Sequence, residues 1–372
     1  MVAEYSHHRS FRLLDFFPPP VFLSMPAVGI DISDNSLKFL EFRRGISGLR
    51  LGRFGEVPIS EGAVVGGEVV KEDILAEALR ELRQKHRLSF VRASLPEEKA
   101  YLFQTTVPEG TGEASIKTVI EFKLEEHVPL SPHEAVFDFT VLRRDHAGAH
   151  MDVSVTVYPR KIVAAYAGAF RRAGLVPLSF DIEAQATARA LLPPSDMGTY
   201  FIVDFGETRT GLSIVSGGAL TFTSTLEVSG QPLTEAIQRL APEGGSPDQF
   251  KNEVGIQKSK EYKELTEAFL GVVETLKNEI QRFSTYWRER VDEKGERVKK
   301  VEGIILCGGN AGLAGLPEYL SAGLGIPVTR GNVWTNAFSF DDYIPELDFS
   351  HSLGYATAAG LALPPSEEIH LL

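Results

Sequence analysis

Ala27-Val28-Gly29-Ile30-Asp31-Ile32-Ser33-Asp34-Asn35-Ser36-Leu37-Lys38-Phe39 is an apolar strand closed by an aspartate, a turn of small and hydroxyl residues, and a second apolar strand. The same order returns at Phe201-Ile202-Val203-Asp204-Phe205-Gly206-Glu207-Thr208-Arg209-Thr210-Gly211-Leu212, which opens the second half of the chain. Polar-turned hairpins are common, and two of them could coincide by chance. Here each hairpin heads an α/β unit and each unit is followed by an inserted block, which favours a duplication. Turns of this kind present backbone N–H groups to an anion, and Ser or Thr hydroxyls add donors. A strand-end aspartate reaches a Mg2+ shared with phosphates, usually through water.

Two such hairpins facing each other would hold a triphosphate and its metal. One wall would carry Asp31, Ser33, Asn35, Ser36 and Lys38; the other Asp204, Gly206, Thr208 and Thr210. Asp31 and Asp204 are the expected Mg2+ carboxylates. Lys38 stands seven positions past Asp31 and could reach back to phosphate; its plain alternative is a solvated strand lysine. A third element, Leu306-Cys307-Gly308-Gly309-Asn310-Ala311, ends a buried-type strand on two glycines. Gly308, Gly309 and Asn310 would let a flat ring or a phosphate approach the backbone, where the ordinary alternative is a simple turn.

Further out, strands are predicted at 36–43 and 49–57, and an amphipathic helix at 71–87 with Ile74, Leu75, Ala78, Leu79 and Leu82 on one stripe. The texture then changes. Residues 95–175 read as a self-contained α+β module: a strand at 101–107, a helix at 113–126, a hairpin at 135–158 and a helix at 161–173 stopped by Gly174. A strand at 176–181 and a helix at 183–192 return to the first domain. The expected organisation is an arm (1–25), a first domain (26–94 and 176–198) interrupted by the module, and a second domain (199–340) with a helical insertion at 230–292. A terminal segment (341–372) carries a small-residue helix at 351–363 back to the first domain. Shorter helices are expected at 248–254 and 313–320. The longest helix, about 262–290, shows the stripe Leu265, Phe269, Val273, Leu276, Ile280, Phe283, Trp287.

The chain has 372 residues, enough for roughly two to three domains. A net charge of -12 argues against a nucleic-acid partner. Cys307 is the only cysteine, so an internal disulfide is excluded, and it reads as inert core. No stretch has the ~20 apolar residues of a membrane helix. The apolar start (Leu13, Leu14, Phe16, Phe17, Phe22, Leu23) is broken by Asp15 and by Pro18, Pro19 and Pro20, which rules out a secretion-signal helix. It reads as a strap, or as an arm that docks on the domain, a partner or a membrane surface.

In this order the parts resemble the actin, Hsp70 and sugar-kinase ATPase superfamily, and within it the PilM family of type IV pilus assembly proteins, relatives of FtsA. The likeness runs from about Pro26 to Leu363. Gly29, Ile30, Asp31, Ile32, Ser36 and Lys38 match the family's first hairpin, and Val203 to Thr208 its second. Asp248-Gln249-Phe250-Lys251 and Glu279-Ile280-Gln281-Arg282 are similar to its two adenosine-side elements, which implies roles for Lys251, Glu279 and Arg282. The resemblance implies an α/β, duplicated actin-like (ribonuclease H-like) ATPase fold with an inserted strand-helix-strand (SHS2-like) module. It implies ATP and Mg2+ as ligands. It also implies a partner, the cytoplasmic N-terminal segment of an inner-membrane pilus protein such as PilN. The expected place is cytoplasmic, peripheral at the inner membrane through that partner, with self-association left open.

Ser33 and Asp34 stand where the family carries Gly-Ser, and an added carboxylate repels a triphosphate unless metal or Lys38 compensates. Hydrolysis would need a base. Glu183 is the first candidate by position and Asp181 the second; the alternative for Glu183 is a carboxylate on its helix dipole. The expectation is nucleotide binding with weak or absent turnover. Two rivals share the fold. An FtsA-like membrane-associated filament protein would end in a basic amphipathic helix, whereas this chain ends short and acidic. A small-metabolite kinase would need a substrate aspartate at the cleft, and none stands out.

Overall fold

The computed structural model describes residues 27–45, 48–108, 111–144, 150–242, 245–257, 259–291 and 297–364. The arm at 1–25 and the acidic end lie outside the described residues. Strand β1 (Val28–Ile32) is buried at every position but Asp31. It pairs antiparallel with β2 (Ser36–Gly45), which pairs with β3 (Gly48–Pro58). On its other edge β1 runs parallel to β6 (Phe90–Leu95), and β6 runs parallel to β10 (Val176–Ile182). Two short strands, β4 (Val64–Val65) and β5 (Glu68–Val69), form a separate hairpin.

The second half repeats this plan. Strands β11 (Thr199–Phe205), β12 (Thr210–Ser216) and β13 (Ala219–Leu226) form an antiparallel meander, and β14 (Gly303–Cys307) and β15 (Val328–Arg330) add parallel strands beyond β11. The orders β3-β2-β1-β6-β10 and β13-β12-β11-β14-β15 are the same order. The central strands are covered on both faces, which explains their near-continuous apolar sequence.

Helix α1 (Glu72–His86) buries Leu75, Ala76, Leu79 and Leu82 against the first sheet. The inserted module has its own sheet, order β7 (Tyr101–Pro108), β9 (His150–Pro159), β8 (Ala135–Arg144), covered by α2 (Glu113–His127). Its core is Val107, Ile116, Ile120, Leu124, Val153, Val155 and Val157. Helix α3 (Arg160–Ala173), placed with the module by its sequence position, packs elsewhere. Its stripe Ile162, Tyr166, Ala169 and Phe170 joins the core of Leu75, Leu79 and Leu82. The module's own core thus ends by Pro159, because α3 finds its apolar complement on α1.

After α4 (Glu183–Leu191) and the second meander come α5 (Gln231–Leu240), a helical turn (Pro247–Gln249) running into one π turn (Phe250–Val254), and α6 (Lys263–Glu289). Helix α6 buries Leu265, Phe269, Val273, Leu276, Ile280 and Trp287, the expected stripe, while Phe283 is half-buried. Helix α7 runs over Leu316–Leu324 and starts later than its pattern suggested, because Gly315 before it adopts a left-handed φ of 83°. The small-residue segment is also broken: a turn at Phe349–Ser352, a 3-10 turn at Leu353–Tyr355, then α8 (Ala356–Ala362).

Helices α4 and α8 cross in backbone contact. A Cβ on Gly360 would run into the carbonyl oxygen of Ala186, and one on Gly29 of β1 into that of Ala358. Thr187 and Thr357 join hydroxyls at 3.0 Å beside this crossing. Gly360→Ala should gain up to about 1 kcal/mol of helix propensity. It should nevertheless be net destabilising by about 1–3 kcal/mol, because the clash is with main chain and has no rotamer to relieve it. Urea denaturation checks this; a neutral or stabilised variant would mean that the two helices separate freely.

Candidate functional site

The two hairpin turns meet. They line one cleft of about 610 Å³ between the sheets, within the range of small-ligand sites. On the first wall stand Asp31, Ser33, Asn35, Ser36 and Lys38. The β1–β2 register sets Asp31 directly opposite Lys38, so the lysine follows from strand pairing. The turn holds its own shape: Ser33 N–H and Oγ both donate to Ser36 O (2.9 and 3.1 Å), and Ser36 N–H donates to Ser33 Oγ (3.1 Å). Ser94 Oγ donates to Asp31 Oδ1 (3.0 Å) and accepts from Ile32 N–H, fixing the carboxylate at the strand end.

On the second wall stand Asp204, Gly206 and Thr208. Gly206 N–H donates to Arg209 O at 3.0 Å and closes that turn. The third element completes the floor with Gly308, Gly309 and Asn310. Gly308 has φ 91°, and a Cβ there would strike Asp204 Oδ1, so glycine is required twice over. Asn310 Nδ2 donates to Gly206 O (3.0 Å), tying the floor to the second turn. The π turn brings in Lys251, whose buried ammonium donates to Thr234 Oγ1 (3.0 Å) and lies 3.4 Å from Glu207. Glu183, at the start of α4, also faces the cleft.

Four expected residues are elsewhere. Thr210 is buried and donates to Val228 O at 2.6 Å, a bond to the segment just past β13. Glu279 and Arg282 pair with each other at 2.5 Å, away from the face of α6 that carries Ile280, so neither lines the cleft. Asp181 is held by Arg189 at 2.5 Å, outside the cleft.

The structure adds charged groups that were not expected. Glu97 and Glu98 lie in the turn leading into the module, and Arg209 lies between Thr208 and Thr210. Glu97 is buried, accepts from Thr223 Oγ1 at 2.9 Å and lines the cleft. The only sequence signal was an acidic pair at a domain junction.

These carboxyls crowd one another. Burial raises Asp31, and Lys38, Ser94 and Arg209 pull against the rise. Asp204 is pushed up to about 6 by burial and by the charge of Asp31. Glu97 is pushed up to about 8, chiefly by burial, then by Asp204 and Glu98. Glu183 is raised well above the carboxylate range by burial and by Asp31, Glu97 and Glu98, which together outweigh the opposing pull of Arg209. Burial disfavours the charge on Arg209, yet Glu183, Glu98, Asp34 and Glu97 hold it protonated. Among the described residues no group of His, Cys, Asp and Glu is arranged to ligate a metal directly.

The sequence profile described as type IV pilus assembly protein PilM matches residues 29–365. The chain belongs to the PilM family. Among solved structures it is similar to a chain of a PilM–PilN type IV pilus biogenesis complex, with 24% identity, 91% of this chain and 97% of that one covered, and a TM-score of 0.70. The ethanolamine utilization protein EutJ of Carboxydothermus hydrogenoformans is 16% identical, with 90% and 88% covered and a TM-score of 0.51. MreB5 of Spiroplasma citri bound to ADP is 12% identical, with 89% and 94% covered and a TM-score of 0.49. The fold is the duplicated actin-like one. No helix among the described residues is long and apolar enough to cross a membrane.

Raised carboxyl pKa values mean that the folded PilM-family chain binds protons more tightly than the unfolded chain. Stability from this source is present at low pH and declines as pH rises from about 4 through about 8. The ligand-free protein should therefore melt at a lower temperature near pH 8.5 than near pH 6. Glu97→Gln should flatten that slope. Melting curves across this range check it, and a slope unchanged in the variant would remove Glu97 from the cause.

Proposed function

We propose that this chain is an actin-like ATP-binding scaffold of type IV pilus assembly. In this role it binds ATP with Mg2+ and holds the cytoplasmic N-terminal segment of a PilN-like inner-membrane protein. It sits at the cytoplasmic side of that membrane through its partner. Family membership supports the assembly role, and the partner is the one named with the similar PilM–PilN complex. The observation that carries the ligand is the pair of aspartate-tipped hairpins lining one cleft over a glycine floor.

Each group has a task on this reading. The turn N–H groups, with the hydroxyls of Ser33, Ser36 and Thr208, donate to phosphate oxygens. Lys38 adds charge from the facing strand. Asp31 and Asp204 accept from water on a Mg2+, which would neutralise part of the phosphate charge. Gly308 and Gly309 leave the floor open to a flat ring, beside Lys251. Glu183 is engaged by Arg209 at 3.4 Å and buried among other carboxyls, which makes it a poor base for water. Weak or absent hydrolysis is therefore expected.

Calorimetric titration with Mg·ATP tests the ligand. Asp204→Ala and Lys38→Ala should each weaken binding by ~10-fold or more, the scale of one lost charge-assisted contact. Binding by Asp204→Ala as tight as wild type would sink the assignment of the cleft. Capture of a PilN-type tail peptide by the wild-type chain tests the partner separately, and no capture with or without ATP would remove it.

A further inference from the structure

Arg209 enters that account only through Glu183, yet it makes the most heavily shared ion pairs described. It belongs to the β11–β12 turn of the second half, and its guanidinium crosses to the first. Nη1 lies 3.2 Å from Asp34 and 2.9 Å from Glu98, and Nη2 lies 3.4 Å from Glu183. All four side chains are only 16–21% exposed, so solvent screens these contacts little. The three partners come from three places: Asp34 from the first hairpin, Glu98 from the turn at the module's root, and Glu183 from the start of α4.

Asp34 is also held from behind. Its carboxylate accepts from Gly66 N–H (3.0 Å) and Gly67 N–H (3.2 Å), and Gly67 O accepts from Tyr166 Oη at 3.0 Å. Ser33 and Asn35 on either side of it line the cleft, while Asp34 does not. The added carboxylate of the first turn is thus directed away from the phosphate site and answered by an arginine of the second turn.

One guanidinium serves three carboxylates, with hydrogen bonds to Asp34 and Glu183, while the buried Glu98 oxygens have its charge nearby but no hydrogen bond. Arg209 itself lines the cleft. A phosphate chain there offers the same fork acceptors of higher charge density. We infer that Arg209 is a nucleotide-sensing latch, which ties the first hairpin and the module's root to the second half and which a bound polyphosphate draws off Glu98. Loss of the arginine leaves Glu98 beside Glu97 without its counter-charge and loosens the module's root. The latch rests on the nucleotide-binding reading above and deepens it, since it names the residue through which cleft occupancy reaches the module.

Amide hydrogen exchange on the full chain, with and without Mg·ATP, tests it. In the wild type, ATP should speed exchange across residues 97–101 by ~5-fold or more, the lower end of ordinary coupling between sites. In Arg209→Gln these amides should exchange fast already, and ATP should change them by less than ~2-fold. Asp34→Asn removes one partner and leaves Arg209 in place, so its response at 97–101 should persist and reach half its extent at a lower ATP concentration than wild type. That variant decides the matter if Arg209→Gln fails to fold; a half-response at equal or higher ATP overturns the latch. Calorimetry on the same samples separates the two levels. ATP binding by wild type with unchanged exchange at 97–101 overturns the latch alone, whereas no ATP binding by wild type overturns the nucleotide reading and the latch with it.

Discussion

The backbone contact between α4 and α8 is the constraint on which the rest depends. Gly360 lets α8 lie against the main chain of Ala186, and Gly29 lets the same helix lie against β1. A side chain at either place would push the helices, and with them the two sheets, apart by the depth of a methyl group. Thr187 and Thr357, joined at the crossing, both face the cleft. The distance between the two phosphate-type turns is therefore set by glycines remote from any phosphate. In the fold the small residues of α8 act as spacers.

That spacing forces like charges together. Asp31, Asp204, Glu97 and Glu183 share one partly enclosed space, and the cations that answer them, Lys38 and Arg209, are fewer. Such crowding costs stability in the empty protein, which is common where a site is built for a ligand that brings its own charge. A polyphosphate alone would worsen the repulsion. A polyphosphate that arrives with a divalent cation would relieve it, and this is the physical ground for treating nucleotide and metal as one ligand.

The inserted module meets the cleft only at its root. Glu97 and Glu98 follow Pro96 just past β6, and one of them accepts from Thr223 of β13 while the other meets Arg209. The module's strands and α2 make a separate core, and α3 hands the chain back to the first sheet. A change at the cleft thus has a short route into the module, through ion pairs at a junction rather than through its packed interior.

Both hairpins were legible in the sequence because apolar runs joined by turns of small residues are local patterns, and their repetition predicted the duplicated plan. The long stripe of α6 was legible for the same local reason. The end of the module was not, since α3 carries an apolar face without saying which partner will cover it. Thr210, Glu279 and Arg282 were expected at the cleft from their places in motifs, but strand and helix phase turned them elsewhere. Glu97, Glu98 and Arg209 entered it because a turn between domains brought distant charges within reach. Sequence by itself determined which backbone segments form the two walls, through spacing and residue size. Only the tertiary structure decided which charges face each other across them, because that depends on the packing of two helices more than a hundred residues apart.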